Sequence, residues 1–406
     1  MLASLALLIA QLMHDGEVPG VSMVVIRDQK VVAQQAFGVA NDAIFESASL
    51  GKPVFAYAVL QLVDRGKLSL DVPLSRYLDE PVTDPRMKSI TARMVLTHTT
   101  GYQNEVMPGQ TLQLQFEPGS RFSYSGAGFL HLQRVVEHIT QKPLAQLIQE
   151  LVFTPLGMRD SGYVWIPEYE QRKVMSYNAS GNAVERRKPA IATVATLHTT
   201  PLDYARFTIA IMKGTGRMTV PQVEVTPNIS WGLGWAIERT ARGTAFFHWG
   251  ENNGDTHNFV MAREDGSGIV VFTNSGNGFS IMPEIVAAVL EGEHPAFAFM
   301  GYESYRSPSR VLQRDIVARG ADVALAGNVT DALTESQINR IGYVLLGRKR
   351  VTDAIAVFRR NVEKFPQSAN VYDSLGEAYL AAGDCANAVA SYRRSFELAA
   401  TPPPRD

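Results

Sequence analysis

The sequence predicts an α/β (α+β) protein: an antiparallel sheet flanked by helices, an all-α lobe between its strands, and a helical repeat module at the C-terminus. Three observations carry that expectation. Short β-rich runs fall at both ends of residues 1–294, at 21–26, 31–37, 232–238, 246–249, 258–263 and 268–273. Between them the apolar residues recur at helical spacing. Beyond residue 308 the chain is helical and matches itself at one fixed offset of 34 residues. A sheet assembled from both chain ends, with a helical insertion, satisfies the layer rules for a single core.

Residues 1–13 are apolar, but no Lys or Arg precedes them and no small-residue cleavage site follows. Leu2, Leu5, Ile9 and Leu12 fall at helical spacing, and Asp15-Gly16 follows as a stop. The stretch reads as a first helix packed on the sheet, too short for a membrane span. A cytoplasmic protein is the expectation; an exported one with its leader removed is the alternative. Residues 21–26 and 31–37 flank Arg27-Asp28-Gln29-Lys30 and read as an antiparallel hairpin. A helix follows, with Val54, Ala58, Val59, Leu62 and Val63 on one face, ending near Gly66. Residues 90–96 form a short helix capped by Thr91. Arg121 to Gly128 is a turn-rich segment opening a helix with Phe129, Leu132, Val135, Val136 and Ile139 on one face. Residues 160–200 read as loop-rich, 201–212 as helix, and 281–290 as the last helix of this unit.

The expected boundaries are 1–294 for the sheet-containing domain, 295–307 for a linker and 308–406 for the repeats. In the repeats Ile341-Gly342 matches Leu375-Gly376, Leu345 matches Tyr379, Ala354 matches Ala388, and Phe358 matches Tyr392. This pattern resembles tetratricopeptide repeats, which would dock a protein partner or a second copy of the chain. Composition is globular: 46% hydrophobic, 19% charged, net charge −2 over 406 residues. No basic stripe points to nucleic acid. The single cysteine excludes an internal disulfide and a cysteine metal site. Glu251, Asp255 and His257 lack recognisable ligand spacing, so no metal is expected.

Chemistry concentrates in Ser49-x-x-Lys52, placed where a helix begins. Ser and Lys three apart share a helix face. A serine hydroxyl needs a neighbour to take its proton, and a buried lysine of lowered pKa can do so. Helix-start N–H groups can hold a developing oxyanion. Three further motifs follow in order: Leu96-Thr97-His98-Thr99-Thr100-Gly101, Tyr124-Ser125-Gly126 and His248-Trp249-Gly250.

Together these motifs resemble the serine β-lactamase/DD-peptidase superfamily, over roughly residues 8–294, with class C β-lactamases and family VIII carboxylesterases as the nearest groups. The resemblance implies the β-lactamase/transpeptidase-like fold. It makes Ser49 the acylated nucleophile, Lys52 its proton-transfer partner, and Tyr124 a third member coupled to Lys52. It places Gly250 on an edge strand beside the serine, where a glycine admits substrate to the backbone. The N–H of Glu251 would complete an oxyanion hole with that of Ser49, and Gly126, His248 and Trp249 would line the substrate site. His98 reads as structural, tying the 97–101 turn.

Two departures bear on substrate. Gly126 stands where the family usually has asparagine. His248-Trp249 replaces Lys-Thr, removing a cation and a hydroxyl that would grip a substrate carboxylate. Both favour neutral esters or amides over β-lactams. The expected function is a carboxylesterase on small esters, working through a Ser49 acyl-enzyme without a cofactor. D-amino-acid peptidase or amidase, DD-carboxypeptidase and β-lactamase are the alternatives in the same class. A catalytically degenerate binding protein, docking a partner through its repeats, is the alternative outside it.

Overall fold

In the computed structural model, the described residues are 2–107, 109–185, 195–214, 216–252 and 254–400. They divide into two compact units: residues up to Tyr177 with Val184–Tyr302, and Asn178–Ala183 with residues from Glu303 onward.

The first unit opens with helix α1 (Leu2–Gly16), then strands β1 (Val21–Arg27), β2 (Lys30–Phe37) and β3 (Phe45–Glu46) and helix α2 (Gly51–Asp64). Helix α3 (Gly126–Thr140), strand β4 (His198–Thr199) and helix α4 (Pro201–Lys213) follow. The chain then returns to strands: β5 (Val223–Thr226), β6 (Ile229–Trp231), β7 (Ala236–Thr240), β8 (Gly243–Asn252), β9 (Thr256–Arg263) and β10 (Gly268–Thr273). Helices α5 (Met282–Leu290) and α6 (Pro295–Met300) close the unit. The main sheet has eight strands in the order β2-β1-β10-β9-β8-β7-β6-β5, with antiparallel neighbours. β1 joins β10, so the two ends of the unit meet in mid-sheet.

β1, β9 and β10 are buried on both faces, which explains their near-continuous apolar runs. Val24, Ile26, Val260, Ala262, Val270 and Phe272 share one core with α2, α3 and α4. On the other face Val25 lines one cavity with Leu5 and Leu8 of α1, and the rings of Phe259 and Phe297 of α6 lie 4.9 Å apart, tilted by 33°. Each such side chain contributes about 1.5–3 kcal/mol on full burial. Leu5, Ile9 and Leu12 are buried at the spacing that marked α1 as amphipathic.

Three differences from the sequence reading have physical reasons. β5 and β6 escaped it because their seven residues are short and half polar. The run at 232–238 becomes a strand only from Ala236; Gly232 to Trp235 make a turn that binds back on itself, Gly232 N–H to the Trp235 carbonyl at 2.8 Å. Residues 295–300, read as linker, form α6, whose six residues are too few to show a period.

The second unit contains α7 (Pro308–Arg319), α8 (Glu335–Gly347), α9 (Val351–Lys364), α10 (Ala369–Ala381) and α11 (Cys385–Ala400). α8 and α10 begin 34 residues apart, as do α9 and α11. A side chain at Gly342 would collide with the Phe358 ring, and one at Gly376 with the Tyr392 ring. The same contact is therefore built twice, 34 residues apart. Ser180 Oγ donates to the Val344 carbonyl at 3.1 Å, which places residues 178–183 with this unit. Among the described residues no helix is long and apolar enough to cross a membrane.

Candidate active site

Ser49 sits in a single 3₁₀ turn, Ala48–Leu50, that runs directly into α2. Ala48 is held at φ 47°, a left-handed conformation that costs a non-glycine residue about 1–3 kcal/mol. Tertiary bonds hold the turn in place. Ser47 N–H donates to the Leu197 carbonyl at 2.7 Å, Tyr204 Oη to the Leu50 carbonyl at 3.0 Å, and Tyr163 Oη to the Gly51 carbonyl at 2.8 Å. Asn258 Nδ2 donates to the Glu46 carbonyl at 2.8 Å, and Asn252 Nδ2 to the Glu46 carboxylate and to the Ala195 carbonyl. Tyr204→Phe leaves the buried Leu50 carbonyl without this donor, so it should lower unfolding free energy by about 1–3 kcal/mol, read from urea midpoints. An unchanged midpoint would show that this clamp carries no stability.

Lys52 is buried, and its Nζ lies 2.7 Å from Ser49 Oγ. Burial brings the ammonium down to about 7, with Glu105 opposing it. Near neutral pH the amine therefore carries a free lone pair for a substantial share of the time. The Tyr124 hydroxyl is also buried. Burial pushes the phenol far above its ordinary range, and its proximity to Ser49 only partly offsets this. No hydrogen bond of good geometry reaches that hydroxyl among the described residues. Lys52 Nζ is 4.7 Å from the centre of the Tyr124 ring. Of the lysine–tyrosine pair, the amine is the group able to accept a proton, and the phenol stays protonated.

Tyr124 is fixed by aromatic packing, stacked on His98 at 4.2 Å and on Trp249 at 5.7 Å. His98 Nδ1 accepts from the Ser125 N–H at 3.0 Å. Burial and the nearby Lys52 keep that imidazole neutral. His98 therefore ties the 97–101 turn to the start of α3 and holds Tyr124 between them. Ser125 caps α3, accepting from the Gly128 N–H at 3.1 Å.

β8 pairs with β7 only as far as Phe247 and with β9 to its end. From His248 onward its free edge runs past the Ser49 turn. Strand alternation then sorts the third motif. His248 and Gly250 face inward; Trp249 and Glu251 line a cleft of about 700 Å³ with Ser49, Lys52, Asn104, Glu105, Tyr124 and Gly126. The expectation that His248 lines the substrate site is corrected here. It is fully buried, with Nδ1 bonded to the Trp249 backbone, and burial lowers its pKa to about 3. It supplies no cation. The expected role of Gly250 also changes: a Cβ there would collide with the Ser47 carbonyl oxygen, so the glycine admits the nucleophile turn rather than substrate.

The sequence reading missed Asn104, Tyr163, Tyr204, Asn252 and Asn258. Each acts on a residue distant in the chain, and nothing in its local pattern marks it. Glu251, beside the cleft, is hydrogen-bonded by Tyr302 Oη and lies 3.8 Å from His257 Nε2. Among the described residues no group of three or more His, Cys, Asp and Glu is arranged to hold a metal.

Comparison with known proteins adds a second line. A sequence model of the family described as Beta-lactamase matches residues 5–293. Esterase EstB of Burkholderia gladioli is 32% identical over 194 residues, 38% of this chain and 49% of that protein. The D-alanyl-D-alanine-carboxypeptidase/endopeptidase AmpH of Escherichia coli K12 is 27% identical over 187 residues, 41% of this chain and 48% of that protein. The chain thus spans about half the length of the curated relatives it matches. The fold matches the octameric penicillin-binding protein homologue from Pyrococcus abyssi at TM-score 0.63, with 21% identity over 78% of this chain and 82% of that one. It matches D-alanine carboxypeptidase AmpC from Burkholderia cenocepacia at 0.63, with 18% identity over 70% and 98%.

Proposed function

Because this chain belongs to the Beta-lactamase family, we propose that it is a serine hydrolase that forms an acyl-enzyme on Ser49 and acts on small carboxylic esters. The observation that carries the reading is the buried Lys52 amine, 2.7 Å from Ser49 Oγ, whose pKa burial lowers to about 7. Ser49 Oγ attacks the scissile carbonyl carbon while its proton passes to Lys52 Nζ. The backbone N–H groups of Ser49 and Glu251 hold the oxyanion. The leaving alkoxide takes the proton from Lys52, with the Tyr124 O–H as a donor beside it. Water then attacks the acyl-enzyme by the same sequence and frees Ser49.

Charge favours esters over the carboxylate-bearing substrates of peptidases and β-lactamases. The described cleft wall carries Glu105 and Glu251, and its one basic residue is Lys52, which is committed to Ser49. His248, buried outside the cleft lining, gives the third motif no cation for a carboxylate. A negatively charged wall repels such a group, and a site lacking its partner binds it weakly. EstB, named an esterase, agrees with this reading; AmpH, named a carboxypeptidase/endopeptidase, keeps DD-peptidase activity as the second one.

The test is a pair of initial rates, p-nitrophenyl butyrate against nitrocefin, on the wild type and Ser49→Ala. The ester should turn over, nitrocefin should be hydrolysed at least about a hundredfold more slowly, and Ser49→Ala should remove the ester signal. Rapid nitrocefin turnover would move the chain to the β-lactamases. No turnover, with no fluorophosphonate labelling of Ser49, would leave the degenerate binding protein.

A further inference from the structure

We infer that the outer face of α11 is a docking surface for a second copy of this chain, whose own α11 packs antiparallel on it about a two-fold axis. No residue of the catalytic cleft takes part.

The first repeat shows what such a face looks like when it is covered. Leu346 of α8, with Ile355 and Val362 of α9, is half-buried against a core that contains Leu375, Ala378 and Tyr379 of α10. Arg359, between Ile355 and Val362, donates to Tyr379 Oη at 2.8 Å. α10 therefore covers this face of the first repeat. Thirty-four residues on stand Leu380, Val389, Arg393 and Phe396, in the same order of apolar, apolar, Arg and apolar. Leu380 and Val389 are 57% exposed and Phe396 76%, so none of the described residues covers the face when it recurs. The last helix of a stacked array ordinarily turns a polar side outward. On α11 that side is apolar, and an exposed patch of this kind marks a protein contact.

The pattern of α11 selects a second copy as the occupant. α10 follows α9 after a turn of four residues, so the helix that covers Ile355 and Val362 runs antiparallel to α9. A two-fold axis crossing α11 at mid-length gives α11 an antiparallel neighbour of the same kind. Val389 and Phe396 each lie four residues from an end of α11, so the axis sets Val389 of each copy opposite Phe396 of the other. Ala386 and Ala400, beside this stripe and exposed, are small enough for the helices to approach closely. The charges are self-complementary as well. Arg393 and Glu397 lie one turn apart on one flank of the stripe, and the axis turns Arg393 of each copy towards Glu397 of the other. Glu397 meets Arg394 of its own helix at 3.4 Å, and its carboxylate has acceptor capacity for a second cation.

The experiment is sedimentation velocity of the full chain between about 1 and 100 µM. It is run on the wild type, Phe396→Asp, Arg393→Glu and the double variant Arg393→Glu with Glu397→Arg. The wild type should form a dimer. Phe396→Asp puts a charge opposite Val389 and should raise the dissociation constant at least about tenfold. Arg393→Glu should weaken pairing severalfold, and the double variant should restore it, which no folding defect would do. Helix content by circular dichroism should be the same in all four, because the substituted side chains are exposed on the single chain. A wild type that stays monomeric at about 100 µM overturns the inference and leaves the face to a helix of another protein. A dimer unmoved by Phe396→Asp and Arg393→Glu is built on another surface and overturns it too.

Discussion

Lys52→Met should abolish ester turnover, by about 10³-fold or more, and at the same time raise the melting temperature at neutral pH. The two effects have one cause. Lys52 is buried, and burial draws its pKa from 10.5 to about 7. That shift supplies a neutral amine for the Ser49 proton, and general-base catalysis of this kind contributes about 10²–10⁴ in rate. The same shift disfavours the folded state, because the unfolded chain keeps the proton that the folded chain gives up.

The sign follows directly. Between pH 7 and 10.5 the unfolded state binds more protons at this residue, so stability rises with pH across that window. Below about 7 the penalty is complete and constant. Methionine has similar length and no charge, so it removes the penalty. The Tm gain of the variant should be largest at pH 7 and below and should shrink towards pH 10. In the wild type, kcat/KM should rise with pH through about 7 as the amine deprotonates. His248, lowered to about 3, adds no ionisation in that range. A Tm that falls in Lys52→Met, or a rate profile flat from pH 6 to 8, would refute the assignment of Lys52 as a burial-tuned base.

How much of this site is legible in the sequence depends on the range of each interaction. Ser49 and Lys52 are three residues apart on a helical start, so local geometry alone brings them together. The strands of mid-sheet announce themselves as apolar runs, because helices cover both of their faces. Thr91 is legible as a cap for the same local reason; its Oγ1 accepts from the Met94 N–H at 3.2 Å. Tyr204 acts on Leu50 across 154 positions and Asn258 on Glu46 across 212, and no periodic pattern encodes such a contact. His248 is misread for a different reason. Its motif is legible, but which strand face meets the cleft depends on the register of β8 against β9 and on the placement of the Ser49 turn. A one-residue shift would expose His248 and bury Trp249.

Gly250→Ala is expected to be the most damaging one-atom addition to the site. In most cores a new methyl group is accommodated by rotation of a neighbouring side chain, at about 1–3 kcal/mol. At Gly250 the obstacle is the carbonyl oxygen of Ser47, a backbone atom that cannot rotate away. Ser47 is itself pinned, its N–H bonded to the Leu197 carbonyl and its own carbonyl accepting from the Leu50 N–H. Relief requires the Ser49 turn and the edge of β8 to separate. That separation moves Ser49 away from the Glu251 N–H, the second donor of the proposed oxyanion hole. Loss of one such donor costs about 10²–10³ in kcat. The variant should therefore lose at least 10²-fold in ester turnover and several degrees in Tm. Gly66→Ala is the control. Gly66 lies at the end of α2 at φ 67° with nothing near a new Cβ, so alanine there meets only backbone strain. It should lower Tm slightly and leave kcat/KM unchanged. If Gly250→Ala loses no more rate than Gly66→Ala, the close approach of β8 to the nucleophile turn is not what positions the oxyanion donors.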